Sequence, residues 1–470
     1  MVKFDKEVGW ELLCPARGLA VTAQVENLDS YSPDIVVVGA GGCGLVAALA
    51  AARKGARVLV LEKTDKPGGG TVFSSRSIRA AGTKLQRAKG IEDDGAAYAR
   101  DILDRNRALS DAGLTQRLAQ GSGELVDWLA DAAQIDFDVG TRLFGHSRRR
   151  SHTWKGDLTI VDFLVQAVGR QKNIRILFSM PVLCLATDEH GAVTGVETPS
   201  GVIEGRKVIL ATGGFGASPE FLARYIPKAV DIPFPGHFGS TGDGLGMGMA
   251  VGAATENLGA FQPFPTYIAP FACEVSPDVA VLGGILVDQR GRRFVNESQF
   301  PGGLGAKMLE LPGKHAYEIF DERIFELNRV GLDHVATTGA LEKAESAGAL
   351  AQKLGLDPEG LEGTVREYNH AVATGKDAFG RILQSPLQPP FYGVKVWVAL
   401  YHTQGGLKVN TDAQVLRRDG TVIPNLYAGG GAASGISGPG PEGYLPGNGL
   451  LASLGLGKIA GEHAARSIGA

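Results

Sequence analysis

The amino-acid sequence predicts an α/β fold in which both ends of the chain build one domain and a second domain is inserted between them. Ile35-Val36-Val37-Val38 has the apolar pattern of a buried parallel strand, followed by a Gly-rich turn and an Ala-rich helix over 45–54. Further short apolar runs predict strands over 56–61 and 207–211. The C-terminal stretch returns to Gly-rich turns and ends in a predicted helix over 449–465.

The middle of the chain has a different character. Helical periodicity extends over 85–133 and 157–170, and two strands of a hairpin are expected on either side of 188–191. Near 262–400 the strands become shorter and Pro more frequent, with helices predicted over 341–354 and 358–374. The predicted division is therefore a first domain in two parts, 1–261 and 403–470, with an inserted α+β domain over 262–402.

Composition excludes several classes of partner. Lys and Arg number 47 against 50 Asp and Glu, and a net charge of −3 gives no electrostatic footprint for nucleic acid or anionic membrane. The four cysteines contain no Cys-x-x-Cys pair, so no structural metal is expected. The N-terminus lacks a secretory signal pattern, and no apolar run reaches the roughly 18 residues that span a bilayer. We expect a soluble, cytoplasmic protein without membrane insertion.

Gly39-Ala40-Gly41-Gly42-Cys43-Gly44 fits the dinucleotide fingerprint G-x-G-x-x-G in the required strand–turn–helix context. The first glycine permits the tight turn, the second admits the pyrophosphate, and the third packs helix on strand. Glu62 follows at the end of the second strand, where a carboxylate can accept both ribose hydroxyls. These features predict a Rossmann-like dinucleotide site; the alternative, a plain Gly-rich turn, leaves Glu62 unexplained.

Three later Gly-rich segments favour FAD over a nicotinamide dinucleotide, because a flavin dinucleotide is long and needs contacts far along the chain. They are Lys66-Pro67-Gly68-Gly69-Gly70-Thr71, Ala211-Thr212-Gly213-Gly214 and Pro424-Asn425-Leu426-Tyr427-Ala428-Gly429-Gly430.

From about Asp34 to the C-terminus the sequence resembles the flavoprotein family of fumarate reductases, succinate dehydrogenase flavoprotein subunits and 3-ketosteroid dehydrogenases. The motifs that carry the resemblance are Ile209-Leu210-Ala211-Thr212-Gly213-Gly214-Phe215, Ser240-Thr241-Gly242-Asp243-Gly244, Gly291-Arg292-Arg293-Phe294-Val295-Asn296-Glu297 and His402-Thr403-Gln404-Gly405-Gly406. The resemblance implies a Rossmann-like FAD-binding domain of the GR2 type, with an α+β cap that closes substrate against the flavin.

The fingerprint and the resemblance together give a set of candidate FAD-binding residues: Gly39, Ala40, Gly41, Gly44, Glu62, Lys63, Gly69, Gly70, Thr71, Ser74, Val182, Ala211, Thr212, Gly213, Gly242, Asp243, Gly430, Asn448, Gly449 and Leu450. The helix that starts near Asn448 should direct its positive end at the flavin pyrimidine edge. Membrane-complex relatives bond FAD to a histidine near the Gly-Gly-Thr turn. The segment 69–75 holds no histidine here, so we expect noncovalent FAD.

The departures from the fumarate reductase pattern concern the substrate. Those enzymes clamp a dicarboxylate with a histidine where this chain has Phe264 and an arginine where it has Tyr444. Alignment after Phe320-Asp321-Glu322 puts Phe325 at the position of their arginine proton donor, although Arg323 lies two residues away. Because buried carboxylates need paired charges, the sequence predicts no strong preference for a dianion.

In 3-ketosteroid dehydrogenases, a tyrosine in a similar Gly-rich stretch donates to the substrate ketone. We therefore expect Tyr444, with the Gly447 backbone, to bind a ketone oxygen and stabilise enolate-like charge; the alternative is a tyrosine that packs the flavin edge. His402 matches a substrate-binding histidine of fumarate reductases and is a candidate to orient a carbonyl or, with Tyr401, to relay the α-proton. A structural histidine at the domain junction is the alternative.

The leading hypothesis is an FAD-dependent dehydrogenase that desaturates or reduces the CH–CH bond beside a carbonyl, on a cyclic ketone such as a 3-ketosteroid or cyclohexanone-like compound. One alternative is a fumarate reductase-like ene-reductase of an unsaturated carboxylate; another is a noncatalytic flavin electron carrier. Apart from the small-molecule ketone or enone, an external electron acceptor or donor is expected, since no haem motif or second nucleotide fold is visible. The run Arg148-Arg149-Arg150 is expected to face solvent rather than to bind phosphate.

Overall fold

The computed structural model describes residues 31–74, 76–141, 145–299, 302–382 and 385–470. Its strands are β1 Ile35–Val38, β2 Val58–Leu61, β3 Ser77–Arg79, β4 Phe137–Val139, β5 Ser151–Trp154, β6 Ile174–Leu177, β7 Cys184–Thr187, β8 Val193–Thr198, β9 Gly201–Glu204, β10 Lys207–Leu210, β11 Thr255–Glu256, β12 Phe261–Ile268, β13 Cys273–Glu274, β14 Ile285–Val287, β15 His315–Asp321, β16 Leu341–Ala344, β17 Phe391–Thr403, β18 Gly406–Leu407, β19 Gln414–Leu416 and β20 Val422–Ala428.

Its α-helices are α1 Gly42–Ala52, α2 Lys84–Ala88, α3 Gly95–Arg105, α4 Ala112–Ala132, α5 Ile160–Gly169, α6 Pro219–Tyr225, α7 Asp243–Ala250, α8 Pro277–Val281, α9 Gly302–Met308, α10 Glu322–Leu327, α11 Arg329–Thr337, α12 Ala347–Leu354, α13 Pro358–Thr374 and α14 Asn448–Ser467. Within the described ranges, no helix is both long and apolar enough to cross a bilayer.

A six-stranded sheet in the order β19-β20-β10-β1-β2-β6 forms the core of the cofactor-binding part. The five strands from β20 to β6 pair in parallel, and β19 is antiparallel to β20. All residues of β1 and β2 are buried, which explains their continuous apolar sequence. Since β20 comes from the C-terminal stretch, both ends of the chain build this sheet, and the predicted α/β class is confirmed.

Helix α14 lies against α1 at short range because glycines face the contact. A Cβ atom at Gly457 would lie 2.5 Å from the Cys43 carbonyl oxygen, and one at Gly461 would lie 2.2 Å from the Ala47 carbonyl oxygen. Both distances are sterically forbidden, so only glycine permits this packing. The packing fixes the N-terminal end of α14 near the first βα turn.

The second large sheet is antiparallel, with the order β13-β12-β17-β15-β14 and with β16 also paired to β17. The helix predicted over 341–354 is wrong at its start: Leu341–Ala344 is strand β16, and α12 begins only at Ala347. Pairing with β17, about 50 residues later, stabilises the strand, and Ser346 then caps the helix through the Ala349 amide. We propose that this sheet is the predicted cap.

A three-stranded sheet in the order β3-β5-β4 joins the segment after the second Gly-rich turn to residues 137–154. Strand β3 ends at Arg79, and β5 begins directly after Arg150. This small sheet therefore brings two arginines to one region of the molecule.

Candidate flavin and substrate site

The first βα turn requires glycine at two positions. Gly39 has a φ of 107°, and a Cβ atom there would lie 2.5 Å from the Ala211 carbonyl oxygen. A Cβ atom at Gly44 would lie 1.9 Å from the Gly39 carbonyl oxygen. The turn can therefore lie directly against the later Ala211-Thr212-Gly213 segment.

Glu62 is buried at the end of β2 and its carboxylate is held by backbone amides. Oε2 accepts a hydrogen bond from the Ala40 N–H at 2.7 Å, and Oε1 accepts from the Thr64 N–H at 2.9 Å. These bonds fix the acid beside the fingerprint turn, with lone pairs remaining for hydroxyl donors. This is the environment expected for a ribose-binding carboxylate.

Lys63 ties this edge of the sheet to the Ser240-Thr241-Gly242-Asp243-Gly244 motif. Its Nζ lies 2.7 Å from the Asp243 carboxylate and donates to Thr241 Oγ1 at the same distance. Gly242 has a φ of 83°, and the Gly244 N–H donates to Thr212 Oγ1 at 3.0 Å. Candidate residues from three distant segments are thus interconnected.

The second Gly-rich turn, Gly69–Phe73, forms a short 3₁₀ helix against the first. Thr71 Oγ1 accepts from the Gly42 N–H at 3.1 Å, and Ser74 Oγ donates to the Thr71 carbonyl at 2.7 Å. A Cβ atom at Gly70 would meet nothing within 4 Å. Two further candidates lie near these turns. Gly430, with a φ of 60°, packs on Cys43. Val182 is half-buried and lies two residues after Met180, whose N–H donates to the Glu62 carbonyl.

The N-terminal end of α14 faces the same region. Gly447 precedes the helix with a φ of 103°, and the 20-residue helix offers free N–H groups and a positive dipole end. The buried Asn448 Oδ1 has no hydrogen-bond partner within the described part of the chain. The glycine cradle, the held Glu62 carboxylate and this polar helix end fit FAD; we propose Asn448, Gly449 and Leu450 as its ring-side contacts.

Tyr444 lies just before α14 with its ring buried. Its hydroxyl oxygen accepts a hydrogen bond from the Gly447 N–H at 3.4 Å, so the hydroxyl proton remains available for another acceptor. Burial raises the pKa of Tyr444, while the Gly447 amide and the positive charge of Arg79 oppose that shift. The hydroxyl is therefore protonated near neutral pH.

His402, at the end of β17, contacts Tyr444 edge-on with ring centroids 5.5 Å apart. A Cβ atom at Gly449 would lie 2.9 Å from the imidazole, so the ring also packs on the start of α14. Desolvation lowers the pKa of His402 to about 4. The structure therefore brings Tyr444, His402 and Gly447 together, with a neutral imidazole.

Tyr401 and Phe264 form a separate aromatic stack, with centroids 4.3 Å apart and ring planes at 13°. The Tyr401 hydroxyl donates to the Glu274 carboxylate. Phe325, at the position of the family's proton donor, stacks on Tyr392 with centroids 4.7 Å apart. An aromatic hydrocarbon cannot donate a proton, so the acid must be another group.

Arg79 was not among the residues predicted from the sequence, but the structure places it at this site. Arg79 is 7 % exposed, and Nε and Nη1 have no hydrogen-bond partner among the described residues. A Cβ atom at Gly447 would lie 2.2 Å from Arg79 Cγ, so the side chain passes directly along the loop before α14. Burial lowers the pKa of this guanidinium, whereas the electrostatic interactions with Tyr98 and Tyr444 raise it.

Two more buried polar side chains surround the same loop. Tyr98 is 0 % exposed and its hydroxyl is unpartnered among the residues that the structure describes. His146 Nε2 lies 2.9 Å from the Pro446 carbonyl, which can only accept, so Nε2 carries the proton and Nδ1 has the lone pair. Desolvation lowers the pKa of His146 to about 4. Tyr98 and His146 lie 5.7 Å apart between ring centroids.

Arg150 corrects the prediction for the arginine run. Arg148 and Arg149 are exposed, but Arg150 is 1 % exposed. Its guanidinium pairs with Asp93 at 2.8 Å and with Asp101, and it lies 4.6 Å above the Tyr98 ring. The solvent-facing interpretation is therefore wrong for Arg150, because two acids about 50 residues earlier bury it.

Charge is also buried in the proposed cap, where Glu297 bonds Arg293 at 2.8 Å and Arg381 at 2.9 Å. Glu297 is thus paired with one arginine before it and one far along the chain. Glu318 is fully buried nearby, and burial, with the Glu297 charge, raises its pKa to about 8.

The fold and site define an FAD-binding flavoprotein. The chain belongs to the FAD binding domain family, whose model matches residues 34–450. It is 32 % identical to an NADH:fumarate oxidoreductase of Klebsiella pneumoniae (strain 342), over 98 % of this chain and 50 % of the relative. It is 33 % identical to a probable fumarate reductase of Shewanella frigidimarina (strain NCIMB 400), over 93 % of this chain and 75 % of the relative.

Solved structures agree with this assignment. An open flavocytochrome c3 fumarate reductase is 31 % identical, with a TM-score of 0.79 over 93 % of this chain and 78 % of that chain. A 3-ketosteroid-Δ4-(5α)-dehydrogenase from Rhodococcus jostii RHA1 is 26 % identical, with a TM-score of 0.77 over 95 % and 99 %. The protein is an FAD-dependent oxidoreductase of the fumarate reductase family. It spans about half the length of the Klebsiella relative.

Proposed function

We propose that this protein reduces a carbon–carbon double bond conjugated to a carboxylate, which was the alternative rather than the leading hypothesis from the sequence. The carrying observation is the buried guanidinium of Arg79, unpaired among the described residues, beside Tyr444 and the start of α14. A buried charge without a partner is costly unless a ligand of opposite charge compensates it. The fumarate reductase names of its relatives support the same chemistry.

Arg79 supplies the positive charge that the Gly-Tyr-Leu-Pro-Gly-Asn segment lacks in comparison with the fumarate reductase motif. The family's arginine is replaced by Tyr444, but a guanidinium reaches the same loop from β3 instead. Its Nε–H and Nη1–H groups are donors suited to the two oxygens of one carboxylate. Arg79 would therefore bind and orient the substrate, and stabilise the negative charge that grows on the carboxyl group during reduction.

When bound, reduced FAD supplies a hydride for the β-carbon. Addition across the double bond also needs a proton at the α-carbon, next to the carboxylate. We assign this proton to the Tyr444 hydroxyl, because its oxygen already accepts the Gly447 N–H and its proton is free. The Gly447 amide and Arg79 stabilise the phenolate that remains, until water returns the proton.

A second candidate is oxidation or reduction beside a ketone. The Tyr444 hydroxyl can donate its proton to a carbonyl oxygen, and the structurally similar Rhodococcus protein is a 3-ketosteroid dehydrogenase. A neutral ketone, however, leaves the Arg79 charge uncompensated.

The two candidates separate in one anaerobic experiment. Protein with chemically reduced FAD is mixed with unsaturated monocarboxylates, fumarate, cyclohexenone and a 3-keto-4-ene steroid, and recovery of the oxidised flavin spectrum is followed. We expect the acids to reoxidise the flavin at least tenfold faster than the ketones. Faster reoxidation by the ketones would overturn the proposal in favour of the second candidate, and an unchanged flavin with every compound would favour an electron carrier.

A further inference from the structure

Gln404 is a buried residue whose backbone is bonded but whose side-chain amide is not. Its N–H donates to the Ala260 carbonyl at 2.9 Å, and its carbonyl accepts from the Gly435 N–H at 2.8 Å. The residue is 7 % exposed, yet neither Nε2 nor Oε1 has a hydrogen-bond partner within the described ranges. Because unsatisfied buried donors and acceptors cost stability, this amide favours a ligand that supplies both an acceptor and a donor.

The chain neighbours of Gln404 contact two of the Gly-rich segments assigned to FAD. Thr403 Oγ1 accepts a hydrogen bond from the Phe215 N–H at 3.1 Å, immediately after the Ala-Thr-Gly-Gly segment. On the other side, a Cβ atom at Gly406 would lie 2.6 Å from the Ala432 carbonyl oxygen, just after the C-terminal Gly-rich segment. Gln404 therefore lies between two parts of the chain that approach the cofactor.

The side chain of Gln404 lies on the same side of the chain as that of His402. Side chains alternate along an extended strand, and Gln404 directly follows the end of β17. Thr403 is directed toward Gly214, where a Cβ atom would lie 2.1 Å from its Oγ1, so His402 and Gln404 take the opposite side. The His402 ring packs on Gly449 at the start of α14. The Gln404 amide is therefore directed toward the helix end that we propose faces the flavin ring.

A primary amide matches the polar edge of an isoalloxazine ring better than it matches a carboxylate. Nε2 of Gln404 donates and Oε1 accepts. The ring edge carries carbonyl oxygens beside an N–H group, so it can satisfy both amide atoms. A carboxylate only accepts and would leave Oε1 unsatisfied. Asn448, 1 % exposed at the start of α14, offers a further acceptor in its Oδ1, which is unpartnered among the residues described.

We infer that the Gln404 side chain binds the polar edge of the flavin ring through a paired donor–acceptor contact and sets part of the flavin's reduction potential. Reduction adds negative charge to this edge, and an N–H donor directed at a ring oxygen stabilises that charge. Gln404 therefore stabilises the reduced flavin more than the oxidised one. The inference concerns the cofactor and is independent of the substrate.

The test compares wild type with Gln404→Leu, which removes the amide. Dilution of the FAD-loaded protein, followed by flavin fluorescence, gives the dissociation constant of oxidised FAD, and we expect it to rise about tenfold. Equilibration with a reference dye gives the midpoint potential. Because reduced FAD should lose about tenfold more affinity than oxidised FAD, the potential should fall by about 30 mV, which is that ratio converted for two electrons. The exposed Gln352→Leu is the control and should change neither value.

A second variant, Gln404→Met, separates hydrogen bonding from packing. Met keeps the unbranched shape of glutamine but has no amide, so both variants at position 404 should show the same two changes. Flavin content and the thermal midpoint of the FAD-loaded variants verify folding. Wild-type values in folded Gln404→Met would overturn the inference, whether or not Gln404→Leu retains flavin, because packing would then explain the role of Gln404. Weaker FAD binding with an unchanged potential would overturn the role in reduction.

Discussion

Arg79 and Arg150 are two buried arginines in the neighbourhood of Tyr98, and they differ in what compensates their charge. Arg150 pairs with Asp93 and Asp101 and lies over the Tyr98 ring. Arg79 has two nitrogens without a partner among the described residues, beside the loop that leads into α14. The same side chain is therefore structural in one place and, in the other, is the group that we propose to bind a ligand.

The comparison shows why burial alone does not identify a binding residue. A fully compensated buried ion pair stabilises or is neutral, but breaking it leaves an uncompensated charge. A buried charge that is already uncompensated costs stability in the free protein, and that cost is recovered when an anion binds. Replacing Arg150 and Arg79 should therefore have opposite effects on stability.

The largest effect is expected for Arg150→Met. It leaves Asp93 and Asp101 without their shared cation, and we expect the free energy of unfolding to fall by about 3–5 kcal/mol. Denaturant unfolding of the FAD-loaded protein measures this. Arg148→Met, at an exposed position of the same run, is the matched control and should change stability by less than ~0.5 kcal/mol. Equal stabilities of the two variants would show that the triad contributes nothing.

Removing the proton donor should have the next largest effect. Tyr444→Phe keeps the ring against His402 but loses the hydroxyl, and we expect kcat to fall about 100-fold with little change in flavin binding. A solvent deuterium isotope effect on the wild-type step identifies the proton transfer. Tyr392→Phe, which loses a cap hydroxyl bonded to Glu322, is the control. Full turnover by Tyr444→Phe would remove Tyr444 from the chemistry.

The smallest effect concerns pH and the neutral His146 beside Arg79. Its pKa is about 4 in the folded protein and ~6.5 when unfolded, so the unfolded chain binds more protons between these values. Stability contributed by His146 is therefore present above pH ~6.5 and is lost as the pH falls toward 4, by about 2 kcal/mol between pH 6.5 and 4.5.

His146→Gln checks this, because Gln can still donate to the Pro446 carbonyl but does not titrate. The thermal midpoint of wild type should fall more steeply than that of the variant between pH 6.5 and 4.5. Parallel curves would mean that His146 titrates alike in both states.

The sequence could predict the cofactor region because its signals are local. The spacing from Gly39 to Gly44, the apolar run of β1 and the acid at position 62 each follow from a short segment. The start of α12 was missed because Leu341–Ala344 becomes a strand only by pairing with β17. At these residues, pairing with a strand that is distant in sequence outweighs the local helix propensity.

The substrate end of the site could be predicted only in part. The exchange of arginine for Tyr444 is visible in the sequence, but its replacement by Arg79 depends on β3 lying along the loop before α14. Nothing between positions 79 and 444 indicates that contact. For the same reason, the run of three arginines predicts exposed side chains, although Arg150 is buried in ion pairs with Asp93 and Asp101.

Binding of a carboxylate to Arg79 is tested most directly by titrating the oxidised, FAD-loaded protein with cinnamate and following perturbation of the flavin spectrum. Wild type should bind, and Arg79→Gln should weaken binding by about 100-fold, or ~2.7 kcal/mol, without lowering the thermal midpoint. Arg79→Lys should retain part of the affinity. Equal affinities of wild type and Arg79→Gln would contradict the assignment of Arg79 as the carboxylate-binding residue.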